Sequence, residues 1–474
     1  MAEVRRVPIG DGRFAGDETI TVRAPYDGTE LATVPKCGPL DVDRAVRAAS
    51  AALDADPLPP WRRAEILDNA VRRLAERVDD FARTIASEAA KPIKTARTEA
   101  QRAVSTFTFA ALAARTLAGD VVPLDAAQVG EGKLGFTLRL PIGVVGAISP
   151  FNFPLNLVAH KLAPAIAAGC PVVLKPASQT PLSAIALAEL LLDECGLPPG
   201  YLNVVTGAGS SVGNALVDHP ELAYLTFTGS GEVGWDIASR ASRTKVALEL
   251  GNSSPVVIAP DGDWERAART IQVAGFSHAG QSCVSTQRVY VHADVAEDFC
   301  TLLAELAGQL VVGDPLDEAT DVSALISTDE RQRVKSWIDE AVAGGAEVLT
   351  GGDLRDGVLA PTVLRNVTPD MKVCRDEVFG PVVAVQSVAD VDEGLWLADD
   401  SRYGLQAGVF TSDLGTALKA ARRLRYGTVL VNEVPTWRAD QMPYGGVRES
   451  GNTKEGPAWT VKEMTEERLV VIGT

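Results

Sequence analysis

Apolar residues recur along residues 61–117 at the spacing of one helix face, with arginine and aspartate between them. The periodic positions are Ile66, Leu67, Ala70, Val71, Leu74, Val78 and Phe81. This period of about 3.6 residues predicts long amphipathic helices. Residues 119–141 differ, because apolar and polar positions alternate in the segment LGFTLRL, which predicts extended arms or a hairpin.

From residue 142 onwards, short apolar runs alternate with helix-like segments. The strand-like runs are 144–149, 171–175, 202–206, 222–228 and 245–250. The clearest helix between them is 181–195, which begins at Pro181 and stops at Gly196. A second series of the same kind runs from 254 to about 440. Such alternation predicts βαβ crossovers, so we expect an α/β protein with two Rossmann-like, parallel-sheet lobes and a small strand arm.

Parallel sheets bind ligands at the carboxyl ends of their strands. In the first series, the turns at these ends are Ser149-Pro150, Lys175-Pro176, Thr206-Gly207 and Thr228-Gly229-Ser230. We therefore expect a nucleotide to lie along this edge.

Length and charge narrow the possible functions. A chain of 474 residues exceeds what one hydrophobic core holds, which supports two or three lobes. Hydrophobic residues make up 46% and charged residues 23%, a balance typical of globular proteins. The net charge of −17 repels phosphate backbones and anionic lipids, so neither nucleic acid nor a membrane is an expected partner.

The sequence shows neither an apolar run of about 18 residues nor an apolar signal segment, and we expect a cytoplasmic protein. No CxxC pair occurs, which favours reduced thiols; the six cysteines are at 37, 170, 195, 283, 300 and 374. No metal is expected, because no two histidines have the i, i+4 spacing of a helical metal site. The four histidines are at 160, 219, 278 and 292.

Cys283 is the candidate nucleophile. It lies in GQSCVS, between a predicted helix (264–278) and the strand-like run QRVYVH. Backbone N–H groups stay free at such boundaries, where they can stabilise a thiolate and an oxyanion. The alternative is that Cys283 is a small buried apolar residue, as we expect for the other five cysteines.

Two further residues could support a nucleophile. Glu249 ends a predicted buried strand, where desolvation would raise the pKa of its carboxyl towards that of a general base. Asn152 lies in SPFNFP, where prolines fix the backbone and the amide could donate to an oxyanion. The alternatives are a structural carboxylate for Glu249 and a helix-capping role for Asn152.

Glycines follow the strand 222–228 in FTGSGEVG and precede a predicted helix, an arrangement that can hold a phosphate group. Their spacing is not GxGxxG, so the cluster alone is a weak signal. Lys175 adds a cation at the end of the preceding strand, and its alternative is a solvated lysine.

Taken together, these segments resemble the aldehyde dehydrogenase superfamily over residues 20–470. The matching motifs are SPFNFP, KPASQTP, FTGSGEVG, LELG, GQSC, EVFGPV and PYGGVRESG. The resemblance implies that Cys283 forms a thiohemiacetal with an aldehyde, and that Asn152 and the Cys283 backbone N–H bind the oxyanion. Hydride transfer would then leave a thioester, which water activated by Glu249 hydrolyses.

The resemblance also implies a cofactor, NADP or NAD. Lys175 is expected at the adenosine ribose, Gly229 and Ser230 near the pyrophosphate, Glu377 at the nicotinamide ribose and Phe379 beside the nicotinamide. The remaining residues expected in the cofactor site are Ile148, Ser149, Ser178, Gly209, Gly213, Phe227 and Leu250.

Two departures from the family pattern stand out. Asn252 and Ser253 replace the usual Gly-Lys after LELG, a change whose effect the sequence does not show. Ser178 stands where NAD-specific members carry a glutamate in the KPAxQTP motif. Loss of that carboxylate would remove repulsion of a 2′-phosphate, so we expect NADP to be accepted.

The aldehyde is expected to be small and anionic or hydroxylated. Arg102 and Arg438 resemble a branch that contains non-phosphorylating glyceraldehyde-3-phosphate, lactaldehyde and phosphonoacetaldehyde dehydrogenases. These two arginines could clamp one anionic group. Ser282 replaces the arginine that members acting on phosphorylated aldehydes tend to carry there. The alternative is that both arginines form ordinary surface ion pairs.

The resemblance divides the chain into three parts. Residues 1–118 and 142–250 are expected to bind the dinucleotide, residues 251–457 to form the catalytic domain, and residues 119–141 and 458–474 to form an oligomerisation arm. A homodimer or homotetramer is therefore expected.

Three rival functions remain open at this stage. A Cys/Glu amide or ester hydrolase would use Cys283 and Glu249 but would leave Lys175 and the FTGS motif unexplained. A coenzyme-A-acylating aldehyde dehydrogenase would not need Glu249 as a base. A non-catalytic use of the fold would not need Cys283, Glu249 and Asn152 together.

Overall fold

A computed structural model describes residues 3–241 and 243–473 of the chain. The helices in chain order are α1 (Pro39–Ala55), α2 (Pro60–Glu76), α3 (Val78–Ala89), α4 (Ile93–Thr116), α5 (Asn156–Ala168), α6 (Leu182–Asp193), α7 (Asn214–Val217), α8 (Gly231–Arg240), α9 (Trp264–Phe276), α10 (Ala293–Gly308), α11 (Thr328–Ala343), α12 (Lys372–Arg375), α13 (Val391–Asp399), α14 (Leu414–Arg423) and α15 (Pro457–Glu463). The helices predicted over residues 61–117 are confirmed as α2, α3 and α4.

The strands in chain order are β1 (Glu3–Val4), β2 (Val7–Ile9), β3 (Gly12–Phe14), β4 (Thr19–Arg23), β5 (Glu30–Pro35), β6 (Val121–Val122), β7 (Lys133–Pro141), β8 (Val144–Ile148), β9 (Val172–Lys175), β10 (Leu202–Val204), β11 (Leu222–Thr228), β12 (Lys245–Glu249), β13 (Ser254–Ile258), β14 (Thr286–His292), β15 (Glu347–Thr350), β16 (Leu354–Arg355), β17 (Val358–Leu359), β18 (Thr362–Arg365), β19 (Val382–Val388), β20 (Gln406–Phe410), β21 (Thr428–Val431) and β22 (Thr465–Gly473). All five strands predicted between residues 142 and 250 are confirmed.

The first lobe is built on a five-stranded parallel sheet in the order β10-β9-β8-β11-β12. The strands are almost wholly buried because helices cover both faces, which explains their continuous apolar runs. Their carboxyl ends bring Ile148, Lys175, Thr228 and Glu249 to one edge of the sheet.

The second lobe contains a seven-stranded sheet in the order β15-β18-β19-β14-β13-β20-β21. All neighbouring strands are parallel except the edge strand β15, which runs antiparallel to β18. Its apolar cores are formed by residues from Val256 onwards, whereas the core of the first lobe extends from Val7 to Leu250 and also takes in Val461 and Met464.

A third sheet projects as an arm in the order β22-β7-β6. The hairpin predicted over 119–141 is confirmed as β6 and β7, and β22 pairs antiparallel with β7 along nine residues, from Thr465 opposite Pro141 to Gly473 opposite Lys133. β22 is a sheet edge exposed along most of its length.

The sequence patterns predicted none of the elements before residue 60. Its strands form a small sheet in the order β1-β5-β4 and a β2-β3 hairpin, and α1 packs against the first parallel sheet. Strands of two to six residues are too short for a reliable alternation pattern, which explains the miss. Among the residues described, no helix combines the length and apolarity needed to cross a membrane.

Candidate active site

Cys283 lies in the second lobe, in the loop between α9 and β14. The preceding turn is strained, because His278 (φ 50°) and Ala279 (φ 53°) both have left-handed backbones. Gly280 follows with φ 70°, and a Cβ there would lie 2.0 Å from the carbonyl oxygen of Gly380. The backbone of the motif GQSC can therefore place the Cys283 thiol at this position only with glycine at residue 280.

Two cavities meet at Cys283. Cavity A, about 180 Å³, is lined by residues of α4 and α5 and of the Cys283 loop. Cavity B, about 410 Å³, lies at the carboxyl ends of β11 and β12. Leu157 and Cys283 line both cavities. A substrate bound to the thiol in cavity A would thus face a second molecule bound in cavity B.

The thiol of Cys283 is held in its neutral form. The pKa of this thiol is raised to about 12, mainly by burial and to a smaller extent by the carboxylates of Glu377 and Glu249. A hydrogen bond with Tyr444 and the charge of Arg438 act in the opposite direction. The Tyr444 hydroxyl oxygen lies 2.9 Å from Sγ.

Glu249 ends β12 in the wall of cavity B. Burial raises the pKa of its carboxyl well above the ordinary value, and the nearby Glu455 carboxylate adds to this, against Arg438, Lys161 and Lys454. Neither carboxylate oxygen has a hydrogen-bond partner among the described residues. Once ionised, a buried carboxylate without a partner next to a cavity is able to take a proton from a water molecule.

Asn152 is 3% exposed and also lines cavity B. Its Nδ2 donates a hydrogen bond to the carbonyl oxygen of Gln281 at 2.9 Å, which ties it to the loop carrying Cys283. An amide nitrogen carries two hydrogens, so a second N–H remains for an oxyanion beside Cys283. The predicted nucleophile, base and oxyanion donor are therefore brought together in one place.

The residues predicted to bind the cofactor occupy two adjoining regions. Gly229, Ser230, Leu250, Glu377 and Phe379 all line cavity B. The other group lines cavity C, of about 670 Å³, at the ends of β8 and β9; it comprises Ile148, Lys175, Gly209, Gly213 and Phe227. Cavities B and C thus follow the carboxyl edge of the first sheet, as expected for a nucleotide site.

Ser149 and Ser178 are predicted cofactor residues that line neither cavity B nor cavity C. The Ser178 hydroxyl donates to the carbonyl oxygen of Gly207 at 2.8 Å. Ser178 therefore removes the charge of a glutamate but has no free hydrogen to donate to a 2′-phosphate in this arrangement. The hydroxyl of Ser149 is buried without a partner among the described residues.

Cavity C also contains charged residues that the sequence patterns did not single out. Glu232, Asp236 and Arg240 line it together with Lys175. Arg240 pairs with Asp236 at 3.2 Å, while burial lowers the pKa of Lys175 to about 8. Cavity C is thus lined by two basic and two acidic side chains.

Glu377 accepts a hydrogen bond from the backbone N–H of Asn252 through Oε1 at 2.9 Å. Burial raises the pKa of its carboxyl to about 7. A Cβ at Gly251 would lie 2.3 Å from Glu377 Oε2, so a larger residue there would displace this carboxylate. Phe379 has φ 47° and packs edge-on against Phe151, with ring centroids 5.8 Å apart.

The structure explains the departure at Asn252 and Ser253. The Asn252 amide donates to the Ser254 hydroxyl at 2.8 Å and to the carbonyl oxygen of Gln406, while the Ser253 hydroxyl donates to the carbonyl oxygen of Cys374. Both side chains are buried, and they connect the start of β13 to neighbouring parts of the second lobe.

Arg102 and Arg438 both line cavity A. Arg102 is about a quarter exposed and donates to Asp440 at 2.9 Å. Arg438 is only 6% exposed and pairs with the equally buried Glu455 at 2.8 Å. Both arginines thus face the same cavity, but each is held by a carboxylate, and Arg438 is not a surface residue.

Two residues of cavity A were missed by the sequence reasoning. Tyr444 belongs to the motif PYGG, which supports the family resemblance but gave no indication of a role for the tyrosine itself. His278 was considered only as a metal ligand; its buried ring lines cavity A, and neither nitrogen has a hydrogen-bond partner among the described residues. Within residues 3–241 and 243–473, no cluster of side chains could hold a metal ion.

Known proteins match nearly the whole chain. The aldehyde dehydrogenase family profile matches residues 14–470. A 3-sulfolactaldehyde dehydrogenase of Priestia aryabhattai is 47% identical over 433 residues, which cover 91% of this chain and 90% of that protein. A lactaldehyde dehydrogenase of Methanococcus vannielii is 38% identical over 466 residues, which cover 98% of this chain and 99% of that protein.

Solved structures agree with these matches. The crystal structure of glyceraldehyde-3-phosphate dehydrogenase GapN from Methanocaldococcus jannaschii complexed with NADP is similar, with a TM-score of 0.93 at 35% identity. The similarity covers 97% of this chain and 100% of that one. The predicted resemblance and the α/β fold class are confirmed. The chain therefore belongs to the aldehyde dehydrogenase family, and it is an NAD(P)-dependent oxidoreductase.

Proposed function

We propose that the protein oxidises a small hydroxylated or anionic aldehyde to its carboxylic acid, with Cys283 as nucleophile. The observation that supports this most directly is the position of Cys283 in the walls of both cavity A and cavity B. The aldehyde would bind in cavity A, and the nicotinamide would bind in cavity B. The proposed dinucleotide-binding part is residues 1–118 and 142–250, and the proposed catalytic part is residues 251–457.

The residues of cavities B and C fit a dinucleotide. Glu377 uses Oε1 for the backbone of Asn252, so Oε2 remains for a ribose hydroxyl. Lys175 supplies a buried donor in cavity C, where the adenosine half would lie. When bound, NAD or NADP accepts a hydride from the carbon attached to Cys283.

The chain's own residues would carry out the other steps. The Cys283 thiolate attacks the carbonyl carbon, and the resulting oxyanion accepts hydrogen bonds from Asn152 Nδ2 and the Cys283 backbone N–H. Loss of hydride leaves a thioester on Cys283. Glu249 then takes a proton from a water molecule, whose oxygen attacks the thioester and releases the acid.

Glu249 also favours hydrolysis over transfer to coenzyme A. A coenzyme-A-acylating enzyme needs no general base for water, whereas here an unpaired carboxyl faces cavity B beside Cys283. We therefore propose that the product is the free acid.

The polar groups of cavity A support the substrate class. Arg102 could bind an anionic end, and Thr95, Thr98 and Ser282 supply hydroxyl groups in the same wall. The relatives described above are a 3-sulfolactaldehyde and a lactaldehyde dehydrogenase, both acting on short 2-hydroxy aldehydes. We propose that this protein acts on an aldehyde of the same kind, and 3-sulfolactaldehyde is the first candidate.

The test is formation of reduced cofactor with NAD and NADP in parallel, using 3-sulfolactaldehyde, lactaldehyde, glyceraldehyde 3-phosphate and propionaldehyde. For the substrate class, the expected result is a kcat/KM for a hydroxylated or anionic aldehyde at least tenfold above that for propionaldehyde. For the mechanism, we expect Cys283→Ala to lose activity and to retain cofactor binding. Equal rates for all four aldehydes would contradict the substrate class. Turnover by Cys283→Ala would contradict the mechanism.

The strand arm supports a proposal about assembly. β22 exposes Leu469, Val471 and Ile472, and its partner β7 exposes Leu134 and Leu138. An exposed, apolar edge strand is a surface that proteins normally cover. We propose that the arm pairs between subunits of a homodimer or homotetramer, and that the enzyme works in the cytoplasm, where its cysteines stay reduced.

A further inference from the structure

Tyr444 is the side chain hydrogen-bonded to the proposed nucleophile. Its hydroxyl oxygen lies 2.9 Å from Cys283 Sγ, and the residue is 3% exposed. Its backbone is fixed by an antiparallel bridge to Glu455, in which the Tyr444 N–H donates to the Glu455 carbonyl oxygen at 2.8 Å. The phenol is therefore held rigidly against the thiol in the wall of cavity A.

A cation lies over the ring of the same tyrosine. The guanidinium carbon of Arg438 is 3.9 Å from the ring centroid, within the range of a cation–π interaction. Arg438 is fixed in this position by Glu455. A positive charge over the ring withdraws electron density from the phenol, which makes its O–H a better hydrogen-bond donor.

The direction of the hydrogen bond depends on the state of the sulfur. With a neutral thiol either group can donate, whereas a thiolate can only accept. Burial keeps the pKa of the Tyr444 hydroxyl well above its ordinary value, so this group keeps its proton and stays a donor. A hydrogen bond to an anion is stronger than one between neutral groups, so the contact strengthens when Cys283 ionises.

We propose that Tyr444 is a further catalytic residue, whose hydroxyl donates a hydrogen bond to the Cys283 thiolate and stabilises it before it attacks the aldehyde. This inference rests on the proposed function, because it takes Cys283 as the nucleophile. Tyr444 keeps its own proton throughout, and the proton lost by the thiol passes to solvent. Arg438 acts through the Tyr444 ring and is a positioning residue in this respect.

The experiment measures alkylation of the full chain by iodoacetamide across a range of pH, with and without NADP. Tyr444→Phe keeps the ring and its contact with Arg438 but removes the hydroxyl. The expected result is a rate of Cys283 alkylation about tenfold lower in Tyr444→Phe at each pH below the thiol pKa, because the thiolate fraction there falls tenfold when the pKa rises by about one unit. Tyr201→Phe is the control, because it removes an equally buried phenol hydroxyl that donates to the Asp56 carbonyl oxygen in the first lobe.

The outcomes separate this inference from the proposed function. Mass spectrometry of the alkylated peptide shows whether Cys283 is the reactive cysteine; the other five are buried. Alkylation elsewhere would overturn the proposed function as well as this inference. Alkylation at Cys283 at the same rate in Tyr444→Phe and the unsubstituted protein would overturn only the role of Tyr444. Thermal unfolding and NADP binding of Tyr444→Phe show that the variant is folded.

Discussion

At the scale of single residues, Glu249 offers the sharpest test of the chemistry. Glu249→Gln keeps the shape of the side chain but removes the base that would activate water. We expect a burst of reduced cofactor of normal size, followed by steady-state turnover lower by about 10²–10⁴. Rapid-mixing absorbance measures both phases. Cys283→Ala is the control and should show no burst. A lost burst in Glu249→Gln would mean that Glu249 acts in a step before hydride transfer.

The raised pKa of Glu249 sets the pH dependence of the same step. Below that pKa the carboxyl is protonated and cannot take a proton from water, so thioester hydrolysis is slow. The rate of steady-state turnover should therefore rise as the pH rises through the raised pKa of Glu249, and level off once Glu249 is ionised. Steady-state rates under saturating aldehyde measure this, and Glu249→Gln should abolish the pH dependence. A rate that falls with rising pH would contradict this assignment.

Arg102 is the residue in cavity A best placed to select an anionic aldehyde, since Arg438 is buried against Glu455. We expect Arg102→Ala to lower kcat/KM for an anionic aldehyde by ten- to a hundredfold, and to leave propionaldehyde oxidation within about threefold. Arg97→Ala is a matched control, because Arg97 lies on the same helix but pairs with Asp79 and Glu318 outside the cavity. Equal losses for both aldehydes would show that Arg102 only stabilises the fold.

Candidate catalytic residues could be predicted from the sequence more readily than the contacts between them. Cys283, Glu249 and Asn152 could be recognised from their local surroundings, such as a strand end or a loop. The contact between Cys283 and Tyr444, and the pairing of Arg438 with Glu455, depend on loops that meet only in three dimensions. No local pattern in the sequence indicates that Arg438 is buried. Its pairing with Glu455, which limits its expected role in binding an anionic group, becomes visible only in the structure.

At the scale of elements, the turn before Cys283 is the feature most sensitive to change. Gly280→Ala should abolish oxidation, because its Cβ would meet the Gly380 carbonyl oxygen and displace the loop. Gly345→Ala is the control: its φ of 106° is also positive, but a Cβ there meets nothing within 4 Å. Activity and thermal unfolding measured together separate loss of the site from loss of stability. An active Gly280→Ala would mean that the loop tolerates the displacement.

The elements best predicted from the sequence are those of the first parallel sheet. β11 was predicted over 222–228 and has these bounds, because a strand covered on both faces must be apolar throughout. The missed elements are α1 and the short strands before residue 36, which pair with one another. Their order in the sheet, β1-β5-β4, is set by tertiary contacts and not by local pattern.

At the scale of the whole molecule, the arm should decide the oligomeric state. Leu469→Lys combined with Val471→Lys places two charges on the exposed strand β22, and we expect the proposed homodimer or homotetramer to dissociate into smaller species. Sedimentation velocity measures the mass of the particles. Leu414→Lys is the control, because Leu414 is exposed on α14, away from the arm. An unchanged mass in the double variant would show that the subunits associate through another surface.

The division between cavity A and cavity B has a consequence for how such an enzyme can evolve. Apart from Leu157 and Cys283, the residues that line cavity A do not line cavity B. In the proposed arrangement, substitutions in the α4 wall of cavity A would alter which aldehyde is accepted and would leave the residues proposed to bind the nicotinamide unchanged. Gene duplication followed by a few changes in one wall would be enough to give a new specificity, and selection could act on the two halves of the reaction separately.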